Sequence, residues 1–243
     1  DNKIPMNIIS EMRNVIPKDC FNSNVLLSLF YMMFDLGILS TALYVYPIAV
    51  SGWISHLIYW NFYGFFAWSL FVVGHDCGHG SFSSSELLNG ICGHICHSVI
   101  LVPFYPWARS HYQHHRFHNC KELDRSHPWL TKDEFDNLPL IMHLFLPTLL
   151  GPIIGFWVYL FYGMDKDGSH LVWFGSLYEG ASAISKLGGA VSSISVFVWA
   201  YIVYLYCGSM MEWWMCYGGI VAVCYIWLFI VTWFQHHCDN TLV

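Results

Sequence analysis

The sequence predicts an all-α integral membrane protein, with four transmembrane helices in two hairpins, interfacial helices and a cytosolic, histidine-rich cap. Of the 243 residues, 56% are hydrophobic and only 11% are charged, whereas a soluble domain carries about 25% charged residues. The mean hydropathy is +0.47 and the chain contains 12 Trp, a residue enriched at membrane–water interfaces. Apolar runs long enough to span a bilayer alternate with polar segments that hold most of the histidines.

The first hairpin is predicted at residues 33–74, after a cytosolic N-terminal segment of residues 1–32. Asp35 interrupts the first apolar run, and a lone carboxylate in the middle of a bilayer is costly. We therefore place Asp35 at the cytosolic interface, begin the first span near Met33, and begin the second span at Trp53.

The second hairpin is predicted at residues 190–234, and residues 75–189 hold the histidine motifs and interfacial helices of the same single domain, residues 1–243. Two apolar stretches, 87–105 and 138–163, are broken by prolines and polar residues. If either stretch alone crossed the membrane, the histidines would be divided between its two sides. Both are therefore predicted to be interfacial or re-entrant.

The distribution of charge predicts the orientation. All 10 Lys and Arg fall on the side that carries the histidines, and the two outer turns have none. Because positive residues accumulate on the cytosolic side, the histidines are predicted to face the cytosol. The net charge of −6 argues against a nucleic-acid partner.

The densest motif is a run of four histidines within residues 111–118. In a helix, His111, His114, His115 and His118 share one face, because they are separated by steps of three and four residues. A face of imidazoles without interleaved acids is well suited to a metal, since imidazole binds Zn, Cu, Fe and Ni. The competing interpretation is a set of surface histidines held by hydrogen bonds.

A second motif ends the second span. His75 and His79 are four residues apart, so one helical face presents both at the cytosolic end of the span. Asp76 is expected to orient a metal-ligating histidine without itself binding the metal. Alone this spacing is weak evidence, but it lies on the side where the topology places the first motif.

A third set follows the last span. His236 is favoured as a ligand, because the adjacent His237 cannot point the same way from a helix. Gln235 is expected to hydrogen-bond a ligand or a metal-bound water. His118 is expected either to bind the metal or to support a ligand.

Other polar residues are predicted to have roles outside the set of metal ligands. His94 and His97 are expected to be hydrogen-bonded histidines of an interfacial helix, and the isolated His170 is expected to make a local polar contact. Asp124 and Arg125 fall in a segment that we expect to position a headgroup or carrier.

The number of histidines favours two metal ions. A catalytic zinc needs three protein ligands, and this chain offers more. An all-nitrogen pair beside apolar helices suits oxygen activation over an acyl chain, and attack on an unactivated C–H bond needs a redox metal, which favours iron. The predicted ligands are His75, His79, His111, His114, His115 and His236.

Residues 75–83 (HDCGHGSFS) and 111–115 (HYQHH) resemble the first two histidine boxes of membrane fatty acid desaturases. Further segments resemble the methyl-end group, the omega-3 and Δ12 enzymes. These segments are Gly93-His94, His97-Ser98, Leu101-Val102-Pro103, Pro106-Trp107, Ser110, Gly168-Ser169-His170 and Thr232 to His236.

The resemblance implies a diiron centre that uses O2 and two electrons to introduce a cis double bond toward the methyl end of an unsaturated C18–C20 fatty acyl chain. It implies a fatty acyl lipid or acyl-CoA as substrate, and electrons from cytochrome b5 and its NADH-dependent reductase or from ferredoxin. It also implies that His236 supplies an extra ligand. The expected location is the endoplasmic reticulum membrane, in preference to a plastid membrane.

The third histidine box of that family, HxxHH, does not occur before Val243. The resemblance therefore implies a C-terminally truncated domain, and we expect this chain to be inactive by itself because six ligands are too few for two octahedral ions.

Two other functions use similar residues. A fatty acyl hydroxylase or acetylenase would use the same site with a different outcome. A membrane zinc metalloprotease would use His75 and His79 in a motif related to HExxH, but the general-base Glu is absent. A non-enzymatic membrane protein that holds heme or a structural metal is a third alternative.

Overall fold

The computed structural model describes residues 6–118, 120, 123–124, 131–145, 148, 150–163 and 169–236. In these residues the regular structure is entirely helical. The α-helices are α1 (Met6–Val15), α2 (Val25–Ala49), α3 (Trp53–His79), α4 (Glu86–Val99), α5 (Phe104–Phe117), α6 (Lys132–Asp136), α7 (Leu140–Phe145), α8 (Leu150–Tyr162), α9 (Ala183–Cys207), α10 (Met210–Trp213) and α11 (Gly219–His236).

Four helical segments are long and apolar enough to cross a membrane, which confirms the predicted fold class. They are α2, α3, α9 and the segment Met210–His236, in which a π-helical turn, Trp214–Gly218, joins α10 to α11. Residues 50–52 connect the first pair, and Gly208 ends α9 in the left-handed conformation. Each pair is therefore a hairpin, as predicted.

The helix that contains the first predicted span extends beyond it toward the N-terminus. The Asn24 side chain accepts a hydrogen bond from Leu27 N and caps a helix that starts at Val25. Asp35 is only 2% exposed, and its carboxylate accepts a hydrogen bond of 2.8 Å from Ser69 Oγ. This hydrogen bond from α3 lowers the free-energy cost of burying the Asp35 carboxylate, which the sequence analysis had treated as a lone group.

The two central helices, α3 and α11, pack closely because glycines remove side chains at their contact. A Cβ atom on Gly64 would lie 2.6 Å from Val223, and one on Gly219 would lie 2.3 Å from the Trp60 ring. The outer helices α2 and α9 leave large apolar side chains exposed, including Phe34. Such faces are expected of helices that contact lipid.

Helices α4 and α5, residues 86–117, form a hairpin bent by 102°. The bend contains Leu101 with φ 60°, and its irregular backbone is buried in protein. Tyr225 OH donates to the Ile100 carbonyl at 2.9 Å, and Tyr217 OH donates to the Val99 carbonyl. Non-helical backbone at membrane depth needs such partners. The hairpin returns the chain to the end of the bundle from which it entered.

The second broken stretch, 138–163, also contains short helices. Its described part comprises α7 and α8, and the apolar part of α8, Gly151–Tyr162, is shorter than the roughly 17 residues that a span requires. Phe156 and Trp157 of α8 pack on Tyr225 of α11.

Candidate metal centre

The last turn of α3 presents His75 and His79 on one face. Gly80 ends the helix directly after them, with φ 72° and its N–H bonded to the carbonyls of Asp76 and Cys77. Gly78 lies between the two histidines, and a Cβ atom there would stand 3.2 Å from the Trp107 ring. The glycine therefore allows α5 to approach this end of α3.

Helix α5 adds two imidazoles to those of α3. His111 Nε2 lies 2.9 Å from His75 Nε2, 3.2 Å from His79 Nε2 and 3.0 Å from His115 Nε2. His75 Nε2 and His79 Nε2 are 3.2 Å apart. His75, His79, His111 and His115 are called the four-histidine group below.

A second group joins α5 to the end of α11. His114 Nε2 lies 3.3 Å from His236 Nε2, and His118 Nε2 lies 2.6 Å from His236 Nδ1. His114, His118 and His236 are called the three-histidine group below. It contains His118, for which the sequence left two roles open.

The nitrogens of the four-histidine group and the His114–His236 pair are spaced as the ligands of metal ions are, whereas the 2.6 Å contact between His118 Nε2 and His236 Nδ1 has the length of a short hydrogen bond. Nitrogen ligands about 2.1 Å from one ion, at the angles of octahedral or tetrahedral sites, lie roughly 3.0–3.4 Å apart. A neutral imidazole nitrogen takes part in one hydrogen bond, as donor or acceptor, so His111 Nε2 cannot satisfy three neighbouring nitrogens at once. The two groups adjoin, with the His114 and His115 ring centroids 5.7 Å apart. The geometry therefore suits two neighbouring ions.

Burial keeps imidazoles of the four-histidine group neutral. It lowers the pKa of His111 to about 2, with His75 as the next cause, and it lowers the pKa of His115, where His114 adds to the effect. Metals bind the neutral imidazole, so these shifts favour metal binding at physiological pH.

Asp124 orients His114, a role that the sequence did not suggest. Asp124 Oδ2 lies 2.8 Å from His114 Nδ1, and both side chains are buried. The carboxylate fixes the proton on Nδ1 and leaves Nε2 free to act as a ligand. Asp124 lies in an irregular segment ten residues after His114, and helical periodicity gives no signal there.

Of four further residues named in the sequence analysis, the structure describes two. Asp76 Oδ1 lies 3.6 Å from His75 Nδ1, beyond hydrogen-bonding distance. Gln235 is exposed on the last turn of α11. His237 lies outside the described residues, and so does Arg125.

The two histidines of α4 behave differently from each other. His94 is hydrogen-bonded as predicted, to the Gly90 carbonyl and to Ser192 Oγ. For His97 the prediction was wrong, because its ring is fully buried and neither ring nitrogen has a hydrogen-bond partner within the described part of the chain. The ring fills the space left by Gly74, where a Cβ atom would lie 2.3 Å from His97 Cδ2.

Comparison with known proteins gives related sequences along most of the chain. The chain is 34% identical over 239 residues to the Delta(12) fatty acid desaturase fat-2 of Caenorhabditis elegans, which covers 96% of this chain and 62% of that protein. It is 34% identical to the acyl-lipid omega-3 desaturase (cytochrome b5) of the endoplasmic reticulum of Arabidopsis thaliana, covering 94% and 59% of the two chains. It is 33% identical to the sn-1 acyl-lipid omega-3 desaturase (ferredoxin) of Synechocystis sp., covering 96% and 64%.

The chain thus spans about three-fifths of the length of these relatives. The sequence profile of the family described as "Fatty acid desaturase" matches residues 51–242, which include three of the four spanning segments and both histidine groups. The chain belongs to the fatty acid desaturase family.

Proposed function

We propose that the protein is a membrane-bound fatty acid desaturase whose two histidine groups hold two irons. One observation carries this proposal. Seven imidazoles from α3, α5 and α11 converge in two adjacent groups at one end of a bundle of apolar spanning helices. In the proposed ligand set, His118 joins the six histidines expected from the sequence.

When bound, the irons would supply the O2-dependent oxidation of a C–H bond. The protein's own residues hold the ligands in place and keep water away from one side of the site. Trp107 stacks on His111 with ring centroids 4.7 Å apart, and Phe71 lies beside His75 and Trp107. Trp107 and Phe71 are both buried, so they form an apolar floor between the four-histidine group and the bundle.

The proposed reaction introduces a cis double bond toward the methyl end of an unsaturated C18–C20 acyl chain, at the omega-3 or Δ12 position. The names of the relatives support both positions. An acyl lipid or acyl-CoA is the proposed substrate. Cytochrome b5 or ferredoxin is the proposed electron donor, because relatives carry each of these names.

The proposed location is the endoplasmic reticulum membrane, with both histidine groups on the cytosolic side. Two relatives named for this membrane support the location. The orientation is supported by the 10 Lys and Arg, which avoid the turns at residues 50–52 and 208–209.

Expression of the complete natural gene in yeast fed oleic or linoleic acid tests the activity. We expect a new double bond in one of these acids, detected by mass spectrometry of the extracted lipids. His79→Ala should abolish the product, while His143→Ala should leave it, because His143 packs on Phe135 outside both groups.

Two results would contradict the proposal. One is an expressed, folded protein that binds zinc alone and forms no new double bond. The other is a product that has gained a hydroxyl oxygen, which would favour the hydroxylase alternative.

A further inference from the structure

A closed ring of hydrogen bonds joins Ser110 of α5 to Tyr159 of α8 and to His170. His170 Nε2 is 2.8 Å from Ser110 Oγ, Ser110 Oγ is 2.7 Å from Tyr159 OH, and His170 Nδ1 is 3.2 Å from the Tyr159 carbonyl. His170, Ser110 and Tyr159 are called the buried triad below, and all three are at most 7% exposed.

The direction of each bond in the triad follows from chemistry. The Tyr159 carbonyl can only accept, so His170 Nδ1 carries the proton and Nε2 accepts from the Ser110 hydroxyl. The Tyr159 hydroxyl then donates to Ser110 Oγ. Burial lowers the pKa of His170 to about 4, so the ring is neutral at physiological pH and keeps this pattern.

The triad holds the helix that contributes most to the metal centre. Ser110 directly precedes His111, the imidazole that contacts all three others of its group. Without His170, the Ser110 hydroxyl can turn to the Trp107 carbonyl of its own helix, 3.1 Å away. That bond stays within α5 and would not fix the helix against its neighbours.

We propose that His170 is a positioning residue for the metal centre: through Ser110 it fixes the rotation of α5, and so places His111 in the four-histidine group. The inference rests on the proposed function and deepens it. His170 lies 59 residues from His111 in the sequence, outside every histidine motif. It touches no residue of either histidine group in the described structure.

The test compares variants of the complete natural polypeptide, purified with its metals. His170→Phe keeps a ring but removes both polar atoms. His170→Gln places a polar atom near the Nε2 position, and Ser110→Ala removes the same bond with little change in volume. Tyr63→Phe is a matched control, because its buried hydroxyl bonds Thr41 Oγ1 at 2.9 Å far from the histidines.

We expect His170→Phe and Ser110→Ala to lose metal from one site only, so that iron falls from two toward one per polypeptide. The kcat should fall by about 10–100-fold, the usual effect of losing support for a ligand, with KM for the acyl substrate unchanged. His170→Gln should recover at least half of the metal, and Tyr63→Phe should match the wild type. Metal loss from one site separates misplacement of His111 from general unfolding.

The inference fails if the wild type contains two irons and both His170→Phe and Ser110→Ala have the same metal content and kcat as the wild type. It also fails if these variants lose metal from both sites equally, as a general destabilisation would. A wild-type protein without two irons or without desaturation would instead contradict the proposed function, so the two failures are distinguishable.

Discussion

His114 has one ring nitrogen on Asp124 and the other in the three-histidine group. The buried carboxylate sets which nitrogen carries the proton and holds the ring in place. Supporting contacts of this kind often matter nearly as much as the ligands themselves.

The substitution Asp124→Asn tests this contact. The amide cannot accept a hydrogen bond as strongly, and its NH2 group can favour the wrong tautomer of His114. We expect metal affinity or kcat to fall by about 10–100-fold, measured by metal analysis and turnover. Asp136→Asn, at an exposed carboxylate, is the control. Equal behaviour of the two variants would contradict the assigned role of Asp124.

Asp35 gives a second prediction at the scale of single residues. Ser69→Ala removes the hydroxyl that bonds the buried carboxyl group, and an unsatisfied buried acceptor costs about 1–3 kcal/mol. We expect a lower unfolding temperature in detergent for Ser69→Ala. In an Asp35→Leu background the same substitution should cost little. A full additional loss in that background would show that Ser69 acts by another contact.

Residues on a regular helix could be predicted from the sequence, and residues in irregular segments could not. The steps of three and four residues placed His111, His114 and His115 on one face, and α5 keeps them there, while His118 is the non-helical residue that ends α5. Asp124 and His170 act through hydrogen bonds from irregular segments, whose course depends on tertiary packing. The same limit applies to His97, whose buried position depends on the space left by Gly74 in another helix.

At the scale of elements, the α4–α5 hairpin depends on close packing across its bend. The Phe104 ring, at the start of α5, lies against Gly93 of α4, where a Cβ atom would be 2.2 Å from the ring. Phe104 is itself buried, so the ring has little room to move.

The substitution Gly93→Ala should therefore destabilise the protein by about 1–3 kcal/mol, the usual cost of overpacking a core. Gly37→Ala in α2 is the matched control, because a Cβ atom there has no neighbour within 4 Å and alanine favours helix by about 1 kcal/mol. Thermal unfolding in detergent should show opposite or clearly unequal shifts. Equal shifts would mean that the hairpin tolerates a wider spacing.

The number and pairing of the spanning helices could be predicted because the length of each apolar run and the positions of prolines can be read directly from the sequence. The N-terminal extent of α2, which begins after the Asn24 cap, was not predicted, and neither was the hydrogen bond between Ser69 and Asp35. That residues 87–105 are interfacial or re-entrant was predicted from a requirement on the whole chain, that all histidine motifs share one side. The bend of the α4–α5 hairpin is supported by Tyr217 and Tyr225, which no local pattern reveals.

At the scale of the whole molecule, the histidine groups lie at the end of the bundle opposite the turns at residues 50–52 and 208–209, which contain no Lys or Arg. The proposed orientation predicts opposite labelling of two positions in intact microsomes, whose cytosolic face is outward. The exposed Cys20 precedes α2 and should react with a membrane-impermeant maleimide. A cysteine introduced by Ser51→Cys, in the turn between α2 and α3, should react only after the membrane is permeabilised. The reverse pattern would invert the proposed topology.

The central claim is that seven imidazoles in two groups hold two irons, and group-specific metal analysis tests it most directly. The complete natural polypeptide should contain two irons, and His79→Ala and His118→Ala should each lose one, because these residues belong to different groups. The double variant should lose both. A wild-type protein with a single metal, or with zinc in place of iron, would contradict the account.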